Sequence, residues 1–211
     1  MRWRRLPAAL LPGLLLAVAL LVMPSGCGGG PVSESYFALE EGNSWLYRGV
    51  GAEAGAEYTL EAMVTGPDPS FNLREGIYDL AITGTLGDFT VSEQGLYLEA
   101  GADEVRLWGV EQGGAPPQFF AAPYLWLAKP LEVGREYNTA IQGVPTPSVM
   151  VVTGNVREAT PWGVKDGFTL EEKGGSGPAV GVRLVFVPYL GFTRIAIPGE
   201  PGLTLEDAAL R

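Results

Sequence analysis

With 211 residues, 46% of them hydrophobic, the chain can bury one sizeable core, and the absence of histidine removes the commonest general base and metal ligand. A formal charge of -10, from 14 basic and 24 acidic residues, speaks against binding to nucleic acid or, through a basic patch, to anionic lipid. One cysteine leaves no intramolecular disulfide.

Arg2, Arg4 and Arg5 precede an apolar run, Leu6 to Met23, broken early by Pro7, Pro12 and Gly13 and followed by small residues. This is the grammar of an export signal. Read as a helix, the run would rise roughly 27 Å, the lower limit of a membrane span, and its prolines and small C-terminal residues favour cleavage. Ser25-Gly26-Cys27 resembles the bacterial lipobox, with Pro24 where that pattern usually has Leu. The resemblance implies that the Cys27 sulfur takes a diacylglycerol and its freed amine a further acyl chain such as palmitate. Several chains anchor stably where one does not. Removing the three leading arginines leaves 14 − 3 = 11 basic residues against 24 acidic, a net charge of -13.

These boundaries give a signal peptide at 1–26, a flexible Gly-rich tether at 27–35 and a single β-rich domain at 36–211. By the same class resemblance, Gly28 in place of Asp favours sorting to the outer membrane, facing the periplasm.

From Tyr36 onward, short alternating runs are separated by Gly, Pro or Asp. In Ala56 to Val64, Glu57, Thr59 and Glu61 alternate with Tyr58, Leu60 and Ala62. Period two means one wet and one buried face. Similar runs at Ile77–Thr83, Asp88–Ser92, Leu96–Glu99 and Glu104–Val110 predict an antiparallel meander. The segment Pro116 to Pro130 carries four prolines together with Phe119, Phe120, Tyr124 and Trp126. It reads as an aromatic lid or a crossover, with Phe119, Phe120 and Tyr124 as a candidate docking segment, or equally as a connection packed over the core. Further strands follow at Glu136–Ile141, Ser148–Glu158, Phe168–Glu172, Val180–Val187 and Phe192–Ile197. Val149 to Val152 and Leu184 to Val187 are apolar on both faces, as in strands covered on two sides. One or two short helices are expected, at Leu203–Leu210 and at Tyr124–Ala128.

Leu39-Glu40-Glu41-Gly42-Asn43-Ser44-Trp45 recurs as Leu131-Glu132-Val133-Gly134-Arg135-Glu136-Tyr137 at an offset of 92 residues (131 − 39). Each copy introduces a strand, a Gly in a tight turn being followed three residues later by an aromatic. Two halves of similar grammar, about 36–127 and 128–211, are suggested.

These motifs resemble a family of poorly characterised exported bacterial lipoproteins with a Tyr-Phe-Pro-Leu-x-x-Gly-Asn-x-Trp-x-Tyr opening. Here it is Tyr36-Phe37-Ala38-Leu39 followed by Gly42-Asn43, Trp45 and Tyr47, with Ala38 in place of Pro. Pro130-Leu131 with Gly134 and Tyr137, and Pro188 to Arg194, match later elements of the pattern. The resemblance implies an architecture similar to the LolA/LolB type of lipoprotein carrier: a half-open barrel of about ten or eleven antiparallel strands closed by helices around an apolar cavity. It transfers no catalytic residue.

Nucleophilic catalysis without histidine would need a Ser-Lys arrangement, and Lys129, Lys165 and Lys173 lack a Ser-x-x-Lys spacing. Glu40/Glu41, Asp103/Glu104 and Glu171/Glu172 are sequence neighbours, which on a strand point to opposite faces. No enzyme, metal or cofactor is expected beyond the acyl modification. Trp45, Tyr47, Tyr58, Tyr78, Phe89, Trp108, Trp126 and Phe186 could line a lipid or apolar-ligand site, or could form the core. The expected function is a membrane-anchored, non-catalytic binding module for an apolar ligand. The alternative is a structural lipoprotein with a packed core, docking on an envelope protein.

Overall fold

The computed structural model describes residues 33–50, 57–67, 76–138, 149–173, 181–196, 198 and 202–211. The signal run, Cys27 and the tether up to residue 32 lie outside them.

The alternating runs form twelve strands: β1 Ser44–Val50, β2 Glu57–Pro67, β3 Ile77–Leu86, β4 Phe89–Ala100, β5 Glu104–Gln112, β6 Gln118–Ala128, β7 Glu136–Asn138, β8 Val149–Thr160, β9 Gly163–Lys173, β10 Arg183–Val187, β11 Gly191–Ala196 and β12 Leu203–Ala209. All pairings are antiparallel, and the order is β6-β5-β4-β3-β2-β1-β12-β11-β10-β9-β8-β7. Each strand thus lies beside its sequence neighbour, and the β1–β12 pair joins the first six strands to the last six. Among the described residues β6 and β7 share no ladder, and the Tyr137 hydroxyl donates to the Ala128 carbonyl across that seam at 2.7 Å. The sheet is a nearly closed up-and-down barrel. It is folded tightly enough for opposite walls to touch: Trp126 of β6 and Phe192 of β11 have ring centroids 5.8 Å apart.

Two expectations are corrected. The described residues contain no helix. Leu203–Leu210 is strand β12, whose Leu203 and Leu205 are buried while Thr204 and Glu206 are exposed. It fills the gap between β1 and β11, so that ladder bonds on both sides outweigh the helical end signals. Tyr124–Ala128 is the end of β6, bonded to β5 with Glu104 opposite Ala128. The described residues form twelve strands, above the expected ten or eleven. The runs at 88–92 and 96–99 are one strand, β4, while β1, β6 and β12 add three.

The two Leu-x-x-Gly-x-x-aromatic copies share one backbone. Gly42 and Gly134 have φ of 86° and 90°, where a side chain would be strained. The Gly42 amide donates to Val64 O and the Gly134 amide to Val152 O, each at 2.8 Å. Asn43 and Arg135 close the same turn onto Glu40 and Glu132. The aromatic that ends each copy, Trp45 or Tyr137, then enters the core at 5% and 1% exposure.

Residues 33–43 form a strap across the end of the barrel where β1 starts. Ser33 to Ser35, placed with the tether by composition, are fixed: the Ser33 amide donates to Tyr189 O at 2.8 Å and the Glu34 amide to Arg211 O. Phe37, Ala38 and Leu39 are buried in the main core. Asn43, fully buried, donates from Nδ2 to Ala38 O at 2.9 Å and accepts the Arg211 amide at 2.8 Å. One side chain therefore ties the start of the domain to its last residue.

Candidate functional site

Period two turns Trp45 and Tyr47 of β1 inward, where they meet Phe192 of β11 and Phe186 of β10, two and three strands along, and Trp126 from β6. The Trp45 Nε1–H donates to Leu190 O at 2.6 Å and the Tyr47 hydroxyl to Phe192 O at 2.9 Å. Both bonds pass over β12, and each contributes about 1 kcal/mol. Gly191, with φ 97°, lets the β10–β11 turn approach the indole, since a Cβ there would lie 3.0 Å from Trp45 Nε1. Burial pushes the Tyr47 phenol well above the ordinary tyrosine range.

The space these rings enclose is small. A void of about 40 Å³ remains among Trp45, Tyr47, Leu80, Trp126, Phe186 and Phe192, against about 300 Å³ or more in sites that hold small organic ligands. It has room for a few water molecules. In this conformation the interior is a packed core.

The eight aromatic candidates therefore separate. Trp45, Tyr47, Trp126 and Phe186 line the void. Tyr58 and Tyr78 are half-buried against the core. Trp108 belongs to a second cluster with Ile77 and Tyr97, on the other face of β3 to β5 from Tyr78, Leu80 and Leu98. The β5–β6 register steps past it, from Leu107 to Gly109, at a bulge, and its Nε1–H donates to Glu99 Oε2 at 2.8 Å. Phe89, 77% exposed at the tip of the β3–β4 hairpin, faces solvent. A strand pattern fixes alternation but not which face points inward, and bulges reset it.

The aromatic docking candidates in β6 engage their own chain. Phe119 packs edge-on against Tyr97 at 5.0 Å, Phe120 against Tyr124 at 4.8 Å. Phe119 keeps 43% of its surface exposed. The most exposed apolar cluster among the described residues is instead the β3–β4 tip, with Leu86 36%, Phe89 77% and Val91 53% exposed. The β4–β5 ladder starts only at Gln94, so Phe89 to Ser92 have a described strand partner on the β3 side alone.

Pattern reading missed one buried ion pair. Glu158 of β8 is 1% exposed and accepts from Arg194 of β11, Nε to Oε1 at 2.7 Å and Nη2 to Oε2 at 2.8 Å. The partners lie 36 residues and three strands apart. The far part of the β8–β9 hairpin must therefore fold back toward β11. No local spacing signals this.

At the strap end, Tyr36 and Tyr189 separate two open grooves. One, about 560 Å³ and mainly apolar, runs along Val156, Arg157, Phe168 and Pro188. The other, about 430 Å³, is bordered by Glu34, Glu40, Tyr78 and Lys129. Lys129 sits over the Tyr36 ring at 5.4 Å and 3.5 Å from Asp103.

The class defined here is an antiparallel, up-and-down sheet of twelve strands with an aromatic interior and an N-terminal strap. No protein-family model matches the chain, and no curated protein does. Among solved structures it is similar to a Bacteroides fragilis protein described as exported and as having a YmcC-like fold, with 9% identity, a TM-score of 0.47, and coverage of 83% of this chain and 99% of that one.

Proposed function

We propose that this is an exported envelope lipoprotein, anchored through acylated Cys27, that works by docking on a protein partner and performs no covalent chemistry. The supporting observation is the filled interior, whose 40 Å³ void is an order of magnitude too small for a lipid chain. In this reading the aromatic residues are structural, and partner contact falls to exposed apolar surface. The β3–β4 tip suits it, because register places Leu86 beside Tyr58 and Val50 beside Glu57, at the end of the barrel away from the strap. The sequence after Cys27, with Gly28 and not Asp, suits the outer membrane, periplasmic side.

The rival reading, a module that carries an apolar molecule inside the barrel, requires the walls around Trp126 and Phe192 to separate. Native mass spectrometry of the full mature chain, released gently from detergent, distinguishes the two. Docking predicts only the mass of the acylated polypeptide. A stoichiometric, non-covalent lipid that is lost on Trp126→Ala would overturn it in favour of the carrier. For the anchor, Cys27→Ser is expected to yield a released, exported protein. Membrane retention of that variant would mean that the uncleaved apolar run, and not an acyl group, holds the chain.

A further inference from the structure

The position of the barrel's strap end relative to the anchor follows from chain length. Cys27 and Ser33 are six residues apart, a separation of about 20 Å fully extended and roughly 13 Å as a Gly-rich coil. Ser33 is bonded to Tyr189, and Tyr189 in turn donates its amide to Tyr36 O at 2.9 Å. The β10–β11 turn is therefore held within the same short reach of residue 27.

This turn presents Pro188 and Tyr189, the latter 42% exposed and held at φ 66°, a conformation rare for an aromatic residue. Beside it runs the 560 Å³ groove of Tyr36, Val156, Phe168 and Pro188, with Arg157 on its rim, 79% exposed. Tyrosine is the side chain that settles at the head-group level, its ring among glycerol and upper chain carbons and its hydroxyl in water. Arg157 faces Asp166 across 3.9 Å, and because both side chains are largely exposed that pairing is weak and leaves the guanidinium able to turn to a lipid phosphate. Phe89, by contrast, starts β4 and lies its whole length from Ala100, which borders the strap-end groove, a further 35 to 40 Å at about 3.3 Å per residue.

Taking the acyl anchor of the proposed function as given, we propose that the Tyr36–Tyr189 groove is the protein's membrane-contact surface, seated in the head-group layer of the bilayer that holds the anchor, with the β3–β4 tip pointing away from it. The occupant is the phospholipid surface itself. The overall negative charge gives no long-range attraction to it, so the contact depends on the tether for its effective concentration.

The test uses the fact that acylation consumes the only cysteine. Tyr189→Cys, Arg157→Cys and Phe89→Cys, each in the acylated full chain, are spin-labelled and reconstituted into phosphatidylethanolamine/phosphatidylglycerol vesicles. Collision with oxygen relative to a water-soluble nickel chelate is then measured. The expected oxygen-to-nickel ratio at 189 and 157 is about fivefold or more above that at 89. The Arg157 label replaces an exposed side chain, so its result stands if the Tyr189 variant misfolds. Equal, water-like ratios at all three sites in an acylated, vesicle-bound protein would overturn the contact surface and leave the anchor intact. A free thiol at Cys27, seen as a second label and in the mass of the N-terminal peptide, would overturn the anchor instead.

Discussion

Removing Arg194 should cost far more than removing its partner, because the two ends of that ion pair lie in different surroundings. Glu158 is 1% exposed, whereas 55% of the Arg194 side chain reaches solvent. Arg194→Met leaves a carboxylate with neither water nor counter-charge, a loss of about 3 to 5 kcal/mol. Glu158→Leu leaves a guanidinium that water can resolvate and fills the buried position with carbon, so the loss is about 1 kcal/mol. For a domain of this size about 1 kcal/mol corresponds to roughly 2 to 4 °C in Tm. The expected drops are therefore about 6 to 20 °C for Arg194→Met and about 2 to 4 °C for Glu158→Leu, read by thermal and urea unfolding with tryptophan fluorescence. The double variant should recover part of the loss of Arg194→Met, since both polar partners are then gone. If Glu158→Leu proves as costly as Arg194→Met, or the double variant gives no recovery, the account of this pair is wrong.

Three further outcomes are expected. Burial raises the Tyr47 phenol above its ordinary value, so the folded chain keeps a proton that the unfolded chain loses; stability is full below about pH 10 and falls above it by up to about 1.4 kcal/mol per pH unit. Tyr47→Phe should flatten that alkaline slope, and an unchanged slope would rule out this tyrosine as its source. Ala38 has φ 55° and its amide donates to Ser35 O at 3.0 Å, so Ala38→Pro should destabilise by about 3 kcal/mol and expose the strap to protease, while Ala38→Gly should be near neutral; a proline variant with wild-type Tm and protease resistance would contradict the strap geometry. Tyr137→Phe removes the bond to Ala128 O across the β6–β7 seam, and should cost about 1 to 2 kcal/mol and speed amide exchange in β7 first. Uniform acceleration across the sheet would show that the seam does not open separately.

A proline ring, which fixes φ near −65°, could not occupy position 38 as it stands here, at φ 55°. Gly42 and Gly134 are the opposite case: a seven-residue match already pointed to a common turn, since few residue types adopt the required φ and an inward aromatic must follow at a fixed distance. Trp108 and Phe89 were not placed by pattern, because alternation is symmetric under exchange of faces and a bulge at Trp108 shifts it further. The tail was misread because Thr204, Glu206 and Asp207 resemble a helix start, although Leu203-Thr204-Leu205-Glu206 also carries the period of a half-buried strand.

Sequence by itself determined the β character, the turn positions and the internal repeat, because these depend on local periodicity and on Gly and Pro conformational limits. Tertiary structure decided what lies inside. Whether Trp45, Tyr47, Trp126 and Phe186 surround a ligand cavity or fill a core depends on how closely the walls at Trp126 and Phe192 approach, and that distance is set by the pairing of β1 with β12 and by side chains meeting across more than 60 residues of chain. The Glu158–Arg194 pair and the strap's bonds to Tyr189 and Arg211 have the same origin. They are contacts between segments that no short window of sequence contains.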